Sequence, residues 1–260
     1  MLSPHQCLRL FVRLTLLTAA SGAFPLLLLA QDASEIIRRS EDAIKGETSQ
    51  GTFEMSVTTP SYTRTMVMDS WWVGNDKALI AIKSPKKEAG NKWLKIKNEM
   101  WSYLRNTETT IKIPPSMMMQ SWNGSDFTND DLVRESNLVK DYDQAIAASD
   151  TVGGTVCWKI RLVPHPDAAV VWGRIDYWVR KTDHLPARQE YYDEKGRLVR
   201  IMEFSDYRTM GGRKIPSRWV MSNNADPGHR TEFTMLDVAF DKPISDRIFS
   251  LRELERGLER

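Results

Sequence analysis

Cysteine is almost missing from this sequence: 260 residues hold two, Cys7 and Cys157. Cys7 lies ahead of the N-terminal apolar stretch, where a lipid-modified cysteine does not sit, and no cysteine lies near the cleavage positions considered below, so the chain is not expected to be lipid-anchored itself. Cys157 is left alone, and one thiol makes no internal disulfide even in an oxidising compartment. It is expected to be a small buried apolar side chain.

Catalytic and metal-binding signals are equally scarce. His165, His184 and His229 stand beside Pro, Asp or Gly in loop-like stretches, with none of the pair spacings that bind zinc. Asp183-His184 and His165-Pro166-Asp167 each put a carboxylate near an imidazole, and Asp126 is a further acid, but no Gly-x-Ser-x-Gly elbow or reactive cysteine setting supplies a nucleophile. Gly153-Gly154 and Gly211-Gly212 lack the strand-to-helix context of a phosphate loop. The expectation is a protein that is not an enzyme, with no catalytic residues, no metal and no cofactor.

The first thirty residues lack any acid. They carry Arg9 and Arg13, run through Leu14, Leu16, Leu17 and Ala19, and reach a second apolar cluster at Leu26 to Leu29. This is the pattern of a signal peptide, cleaved after Ala30 or, as the rival, after Ala23. Gly22 and Pro25 interrupt the apolar run, which falls short of the roughly 20 continuous residues that a membrane span needs. Residues 1–30 are read as the leader and 31–260 as one domain, exported across a membrane. Removing the leader takes two arginines and no acid, so basic and acidic side chains then balance. The basic surplus on which phosphate-backbone binding depends is gone, and nucleic acid is not expected as a partner.

What the chain has in quantity is strand. Residues 34–45 place Ile36, Ile37, Ala43 and Ile44 on one helical face, with Gly46 as a stop. After that helix come many runs rich in Thr, Val, Ile, Trp and Tyr. Turn residues separate them, among them Gly74-Asn75-Asp76, Lys97-Asn98-Glu99, Gly153-Gly154, Asp193-Glu194-Lys195-Gly196, Gly211-Gly212 and Asp226-Pro227-Gly228. The spacings are too short for helical crossovers, so the sheet should be antiparallel. So many strands should curl into an incomplete barrel and limit exposed edges.

The strands are apolar on successive positions: Met66-Val67-Met68, Trp71-Trp72-Val73, Leu79-Ile80-Ala81-Ile82, Trp93-Leu94 and Met100-Trp101. A sheet with one wet face alternates, so both faces here must be partly covered, one by helix and the other by a lumen or a packed core. Periodicity does not distinguish lumen from core. Residues placed in the apolar interior are Met66, Met68, Trp72, Leu94, Ile96 and Met100, and Met117, Met118, Met119 and Trp122 form an adaptable lid. The lid falls where Pro114-Pro115 breaks the meander. Beyond it, Thr128 as N-cap with Asp131 three residues on makes a capping box, and Phe127 with Leu132 a hydrophobic staple, so Asp130 and Asp131 are read as helix-start residues.

Three stretches carry a family resemblance: Trp101-Ser102-Tyr103-Leu104, Ile113-Pro114-Pro115, and Gly124-Ser125-Asp126-Phe127-Thr128-Asn129-Asp130-Asp131-Leu132. With Leu185-Pro186-Ala187, Tyr191-Tyr192-Asp193 and Gly212-Arg213-Lys214-Ile215-Pro216, they make residues 50–255 resemble the outer-membrane lipoprotein-sorting protein family, the LolA-like proteins of the broader, transporter-associated group. The resemblance implies a mainly β fold with α, an incomplete antiparallel β-barrel of about eleven strands with helices covering the opening. It implies a monomeric periplasmic carrier of lipid or lipoprotein acyl chains. An inner-membrane transporter is implied as a partner, and an adaptor or lipid-sensing partner of an inner-membrane exporter is the alternative role. The lid-latching arginine of LolA has no matching position in this sequence, and Arg64 and Arg105 are candidates by location only.

Overall fold

The computed structural model describes residues 32–134, 138–168, 170–224 and 226–256, and the expected leader lies outside them. Helix α1 (Ala33–Lys45) begins where the Asp32 carboxylate accepts the Ser34 N–H at 3.0 Å. It ends at Gly46, whose φ of +66° lets its N–H turn back to the Asp42 carbonyl. Ile36 and Ile37 face the core, while Glu35, Arg38 and Asp42 form an exposed ion-pair ladder.

Thirteen strands among the described residues form one antiparallel sheet. They are β1 (Thr48–Thr58), β2 (Thr63–Val73), β3 (Lys77–Ser84), β4 (Lys92–Ile96), β5 (Glu99–Leu104) and β6 (Thr109–Lys112), then β7 (Tyr142–Val152), β8 (Thr155–Pro164), β9 (Arg174–Arg180), β10 (Pro186–Tyr192), β11 (Leu198–Met210), β12 (Arg213–Asn223) and β13 (Arg230–Phe240). The expected count of about eleven is too low. Several hairpins turn without glycine: Thr59 Oγ1 accepts the Tyr62 N–H at 3.1 Å, and Glu108 and His184 themselves take positive φ.

The order across the sheet is β6-β5-β4-β3-β2-β1-β13-β12-β11-β10-β9-β8-β7. Two meanders, β1–β6 and β7–β13, are thus sewn together by the antiparallel pair β1·β13. The seam carries a register shift at Thr52/Phe53. Gly51 fits beside it because a Cβ there would stand 2.3 Å from the Asp237 carbonyl oxygen. The sheet does not close: β6 and β7 are its two edges.

Residues 113–134, which leave β6 toward β7, pack on the inner face of the first meander, against Phe53, Met66, Met68, Ile80, Trp93 and Met100. Helix α1 packs on the same face of the second meander, against Ile160, Ile175, Tyr177 and Val179. A further short helix, α3 (Leu251–Glu255), lies on the opposite face, where Leu254 and Phe249 cover Leu79, Leu94 and Tyr103. The buried Lys92 ammonium donates to the carbonyls of Glu253 (3.0 Å), Leu254 (2.9 Å) and Arg256 at the end of that helix. Successive apolar residues in β3 and β4 are therefore explained by cover on both sides.

Candidate functional site

Packing on the inner face leaves a gap among the described residues. Between β1, β2, β3, β12 and β13 and the ends of α1 and the 122–132 segment lies an apolar cavity of about 190 Å³. Phe53, Trp72, Ile80, Trp219, Phe233 and Met235 supply walls from the sheet, and Ile44, Trp122, Phe127 and Leu132 close it from the helical side. The aromatic walls brace one another edge to face: Phe53–Phe233 at 5.3 Å, Phe127–Phe233 at 5.0 Å and Trp93–Trp122 at 5.4 Å between ring centroids. A separate, much smaller pocket of about 10 Å³ lies between Trp72, Ala78, Trp93 and Met100.

The residues expected in the interior separate into groups. Met66, Met68, Met100, Met118 and Trp122 are buried in one cluster with Trp72 and Met117 against it. Of these, Trp72 and Trp122 line the cavity, and Met100 with Trp72 lines the small second pocket. Leu94 and Ile96 must be moved out of the interior. Residues of β4 alternate, so Trp93 and Lys95 point inward while Leu94 and Ile96 meet the α3 cluster outside. Met119 is about half exposed, on the outer surface of the lid segment. Lumen and packed core, left undecided by periodicity, are both present, side by side.

The segment expected to act as a lid is a tightly bonded unit. It makes two 3-10 turns, Pro115–Met117 and Trp122–Gly124, and then α2 (Asn129–Arg134). The capping box is there: Asp131 Oδ2 accepts the Thr128 N–H at 2.7 Å, and Thr128 Oγ1 accepts the Asp131 N–H at 3.2 Å. Asn129 Nδ2 donates to the Met117 carbonyl at 3.0 Å and the Asp130 N–H to the Met118 carbonyl at 2.8 Å, tying the two parts together.

The arginine that fastens this unit to the sheet is neither of those expected alone. Arg105 donates to the Ala89 carbonyl at 3.1 Å, in the hairpin region of β3 and β4, and Arg64 touches only the lid's Asn123 carbonyl while pairing with Glu88. Arg200 of β11 is the main anchor. Its guanidinium pairs with both oxygens of Asp131 at 2.7 and 3.1 Å, donates to the Asp126 carbonyl at 2.8 Å and stacks on Trp172 at 4.4 Å. On the seam side, Thr231 donates to Asp126 Oδ2 at 2.7 Å and accepts the Asp126 N–H at 2.8 Å. Burial pushes the Asp126 carboxyl above the usual range, against the opposing pull of that hydroxyl.

Asp183, His184 and His165 have structural partners. Asp183 holds Arg180 and Lys214, each at 3.0 Å, and the His184 ring lies against Trp158 at 5.2 Å. His165 pairs with Asp143 at 3.2 Å. Cys157 is fully buried, and that burial raises its thiol.

The architecture is thus an open antiparallel sheet over an apolar cavity, with a helical segment fastened across its inner face. Solved proteins share this fold. A family model described as uncharacterized-protein-like matches residues 74–256, more than half the chain, and the chain belongs to that family. A DUF1329 family protein from Desulfovibrio piger is similar with a TM-score of 0.78 at 22% identity, covering 85% of this chain and 97% of that one. A putative outer membrane lipoprotein-sorting protein domain from Vibrio parahaemolyticus gives 0.75 at 21%, covering 86% and 98%. A LolA superfamily protein from Nitrosomonas europaea gives 0.71 at 17%, covering 85% and 98%. No curated protein matches the sequence.

Proposed function

We propose that this protein is a periplasmic carrier, exported by its N-terminal leader, which takes lipid or lipoprotein acyl chains into the inner-face cavity and passes them toward the outer membrane. The observation that carries the reading is the apolar cavity itself, walled by aromatic side chains and closed by a segment held through Arg200. Each methylene moved from water into it is worth about 0.8 kcal/mol, enough for a chain of modest length to bind after ordering costs. No directional contact is needed, so cargo can be released by a movement of the lid.

A volume of about 190 Å³ is smaller than the 300–1,000 Å³ typical of ligand pockets. Cargo entry therefore requires the lid segment to move outward and the neighbouring wall to repack. Met66, Met68, Met100, Met117 and Met118 border that movement with flexible side chains. Met119, exposed on the lid, is offered to whichever membrane partner hands cargo over, an inner-membrane transporter being the expected donor. Native mass spectrometry of gently purified protein should find bound lipid, and Met118→Asp should reduce its uptake. Protein that carries no lipid, and takes up neither lipid nor an apolar dye when these are offered, would sink the proposal.

A further inference from the structure

One polar atom of the cavity wall goes beyond apolar packing, within the acyl-chain reading on which this inference rests. Trp122 lines the cavity and is 1% exposed, and its indole N–H has no hydrogen-bond acceptor among the described residues. The other buried side-chain atoms in that condition are the Nε atoms of Arg64, Arg174 and Arg180, and each of those guanidiniums pairs with a carboxylate, of Glu88, Asp176 and Asp183 in turn. The neutral indole has no such pairing. Tryptophans elsewhere in the sheet place the same group: Trp219, also on the cavity wall, donates to the Pro216 carbonyl at 2.9 Å, and Trp178 donates to Asp150 Oδ2 at 2.9 Å.

The Trp122 backbone is held on both sides. Its N–H donates to the Phe127 carbonyl at 2.7 Å, and its carbonyl accepts the Ser125 N–H at 2.9 Å and the Ser125 hydroxyl at 2.7 Å. A phenylalanine at this position would pack on Trp93 without leaving a donor unpaired in apolar surroundings, where such a donor is unfavourable until an acceptor reaches it. The hydrocarbon part of a cargo molecule supplies no acceptor, but the carbonyl at the head of an acyl chain does. We infer that Trp122 is a specificity-determining residue whose indole N–H donates to the acyl carbonyl oxygen of the cargo, so that the cavity distinguishes acyl chains from plain hydrocarbon chains. An ester-linked and an amide-linked acyl group, as in a lipid and at an acylated protein terminus, share this carbonyl. Trp122 belongs to the segment that closes the cavity, so the bond joins cargo to the part that must move when cargo enters or leaves.

Three ligands of one chain length separate the cases: methyl decanoate, N-methyldecanamide and 1-chlorodecane, the last without a good acceptor, each titrated below its solubility limit into the purified protein by displacement of an apolar dye. For each ligand, the ratio of affinities between the unaltered protein and Trp122→Phe cancels the ligand's own solubility. The ratio for at least one carbonyl ligand should exceed that for 1-chlorodecane by more than twofold, about fivefold being the value of one net hydrogen bond. The carbonyl ligand with the larger ratio identifies the linkage. Trp219→Phe, which removes a donor already committed to Pro216, should affect all three ligands alike. If the three Trp122→Phe ratios agree within twofold, the carbonyl inference is overturned and the acyl-chain reading stands. If none of the three displaces the dye, or the dye itself does not bind, the acyl-chain reading fails. Should Trp122→Phe not fold, the isotope-labelled unaltered protein decides by NMR. One of its nine tryptophan indole resonances should move downfield with the ester or the amide and stay in place with 1-chlorodecane, and movement with all three ligands or with none overturns the inference.

Discussion

Replacing Asp131 by asparagine changes a charge and almost no shape, and the structure gives its consequence a size. The amide oxygen can still accept the Thr128 N–H, so the capping box at the start of α2 survives in part. What is lost is the partner of Arg200, whose side chain is 5% exposed and which Asp131, itself 10% exposed, holds through two oxygens. A buried pair broken from one side costs about 3–5 kcal/mol, because the remaining charge stays buried and uncompensated. Arg200 retains the Asp126 carbonyl and the face of Trp172, so the lower end of that range is expected, about 3 kcal/mol. For a urea slope near 3 kcal/mol per molar, suited to a domain of this size, the midpoint should fall by roughly 1 M. Hydrogen exchange should lose protection first between residues 122 and 132. The double variant Asp131→Asn, Arg200→Met removes the orphaned charge and should recover much of the loss. A cost under about 1 kcal/mol, or a double variant no better than the single, would show that this pair does not fasten the lid.

Three further outcomes are expected. Trp122→Ala should cost about 3–5 kcal/mol in denaturant melts, since the side chain is 1% exposed and packs on Trp93; a loss under about 1 kcal/mol would mean that it does not seal the cavity. Lys92→Met should cost about 1–2 kcal/mol and speed amide exchange at Leu254 and Arg256, because the carbonyls at the end of α3 lose their donor; unchanged exchange there would refute the capping role. Asp126 holds its proton longer in the folded protein than its ordinary value of about 4 allows. Its contribution to stability is therefore largest at acid pH and declines as pH rises from about 4 through the raised folded value, and Asp126→Asn should remove that slope from urea midpoints taken between pH 4 and 7. An unchanged slope would count against the burial described for this carboxyl.

Much of this architecture is legible in the sequence where the determinants are local. The apolar face of residues 34–45 with Gly46, the glycine-bearing hairpin tips and the Thr128–Asp131 box each carry their own chemistry, and each is found in the structure. The count of about eleven came with the resemblance, and the extra hairpins turn at Thr59, Glu108 and His184 through side-chain hydrogen bonds or positive-φ non-glycine residues, which leave little mark in composition. Leu94 and Ile96 were misplaced because doubly apolar strands hide their own parity, and only the alternation along β4 assigns faces. Phe53 carries no local mark as a cavity wall because it meets Phe233 and Trp219 only through the seam, a pairing of segments far apart in the chain. Arg200, lying between Val199 and Ile201, has no local mark of its role; its partner arrives from residue 131.

The seam has a further consequence, in time. Each meander can form from neighbours in sequence, but β1 stands at the middle of the finished sheet and its second neighbour is β13, the last strand of the chain. Until residues 230–240 are available, β1 presents a full-length edge of unpaired N–H and C=O groups, the feature that invites other chains to add on. Pairing across so long a loop is slow, which places closure of the cavity at the end of folding. A truncation that removes β13 would take away the middle of the sheet, not its margin, and leave two half-sheets with half a cavity each.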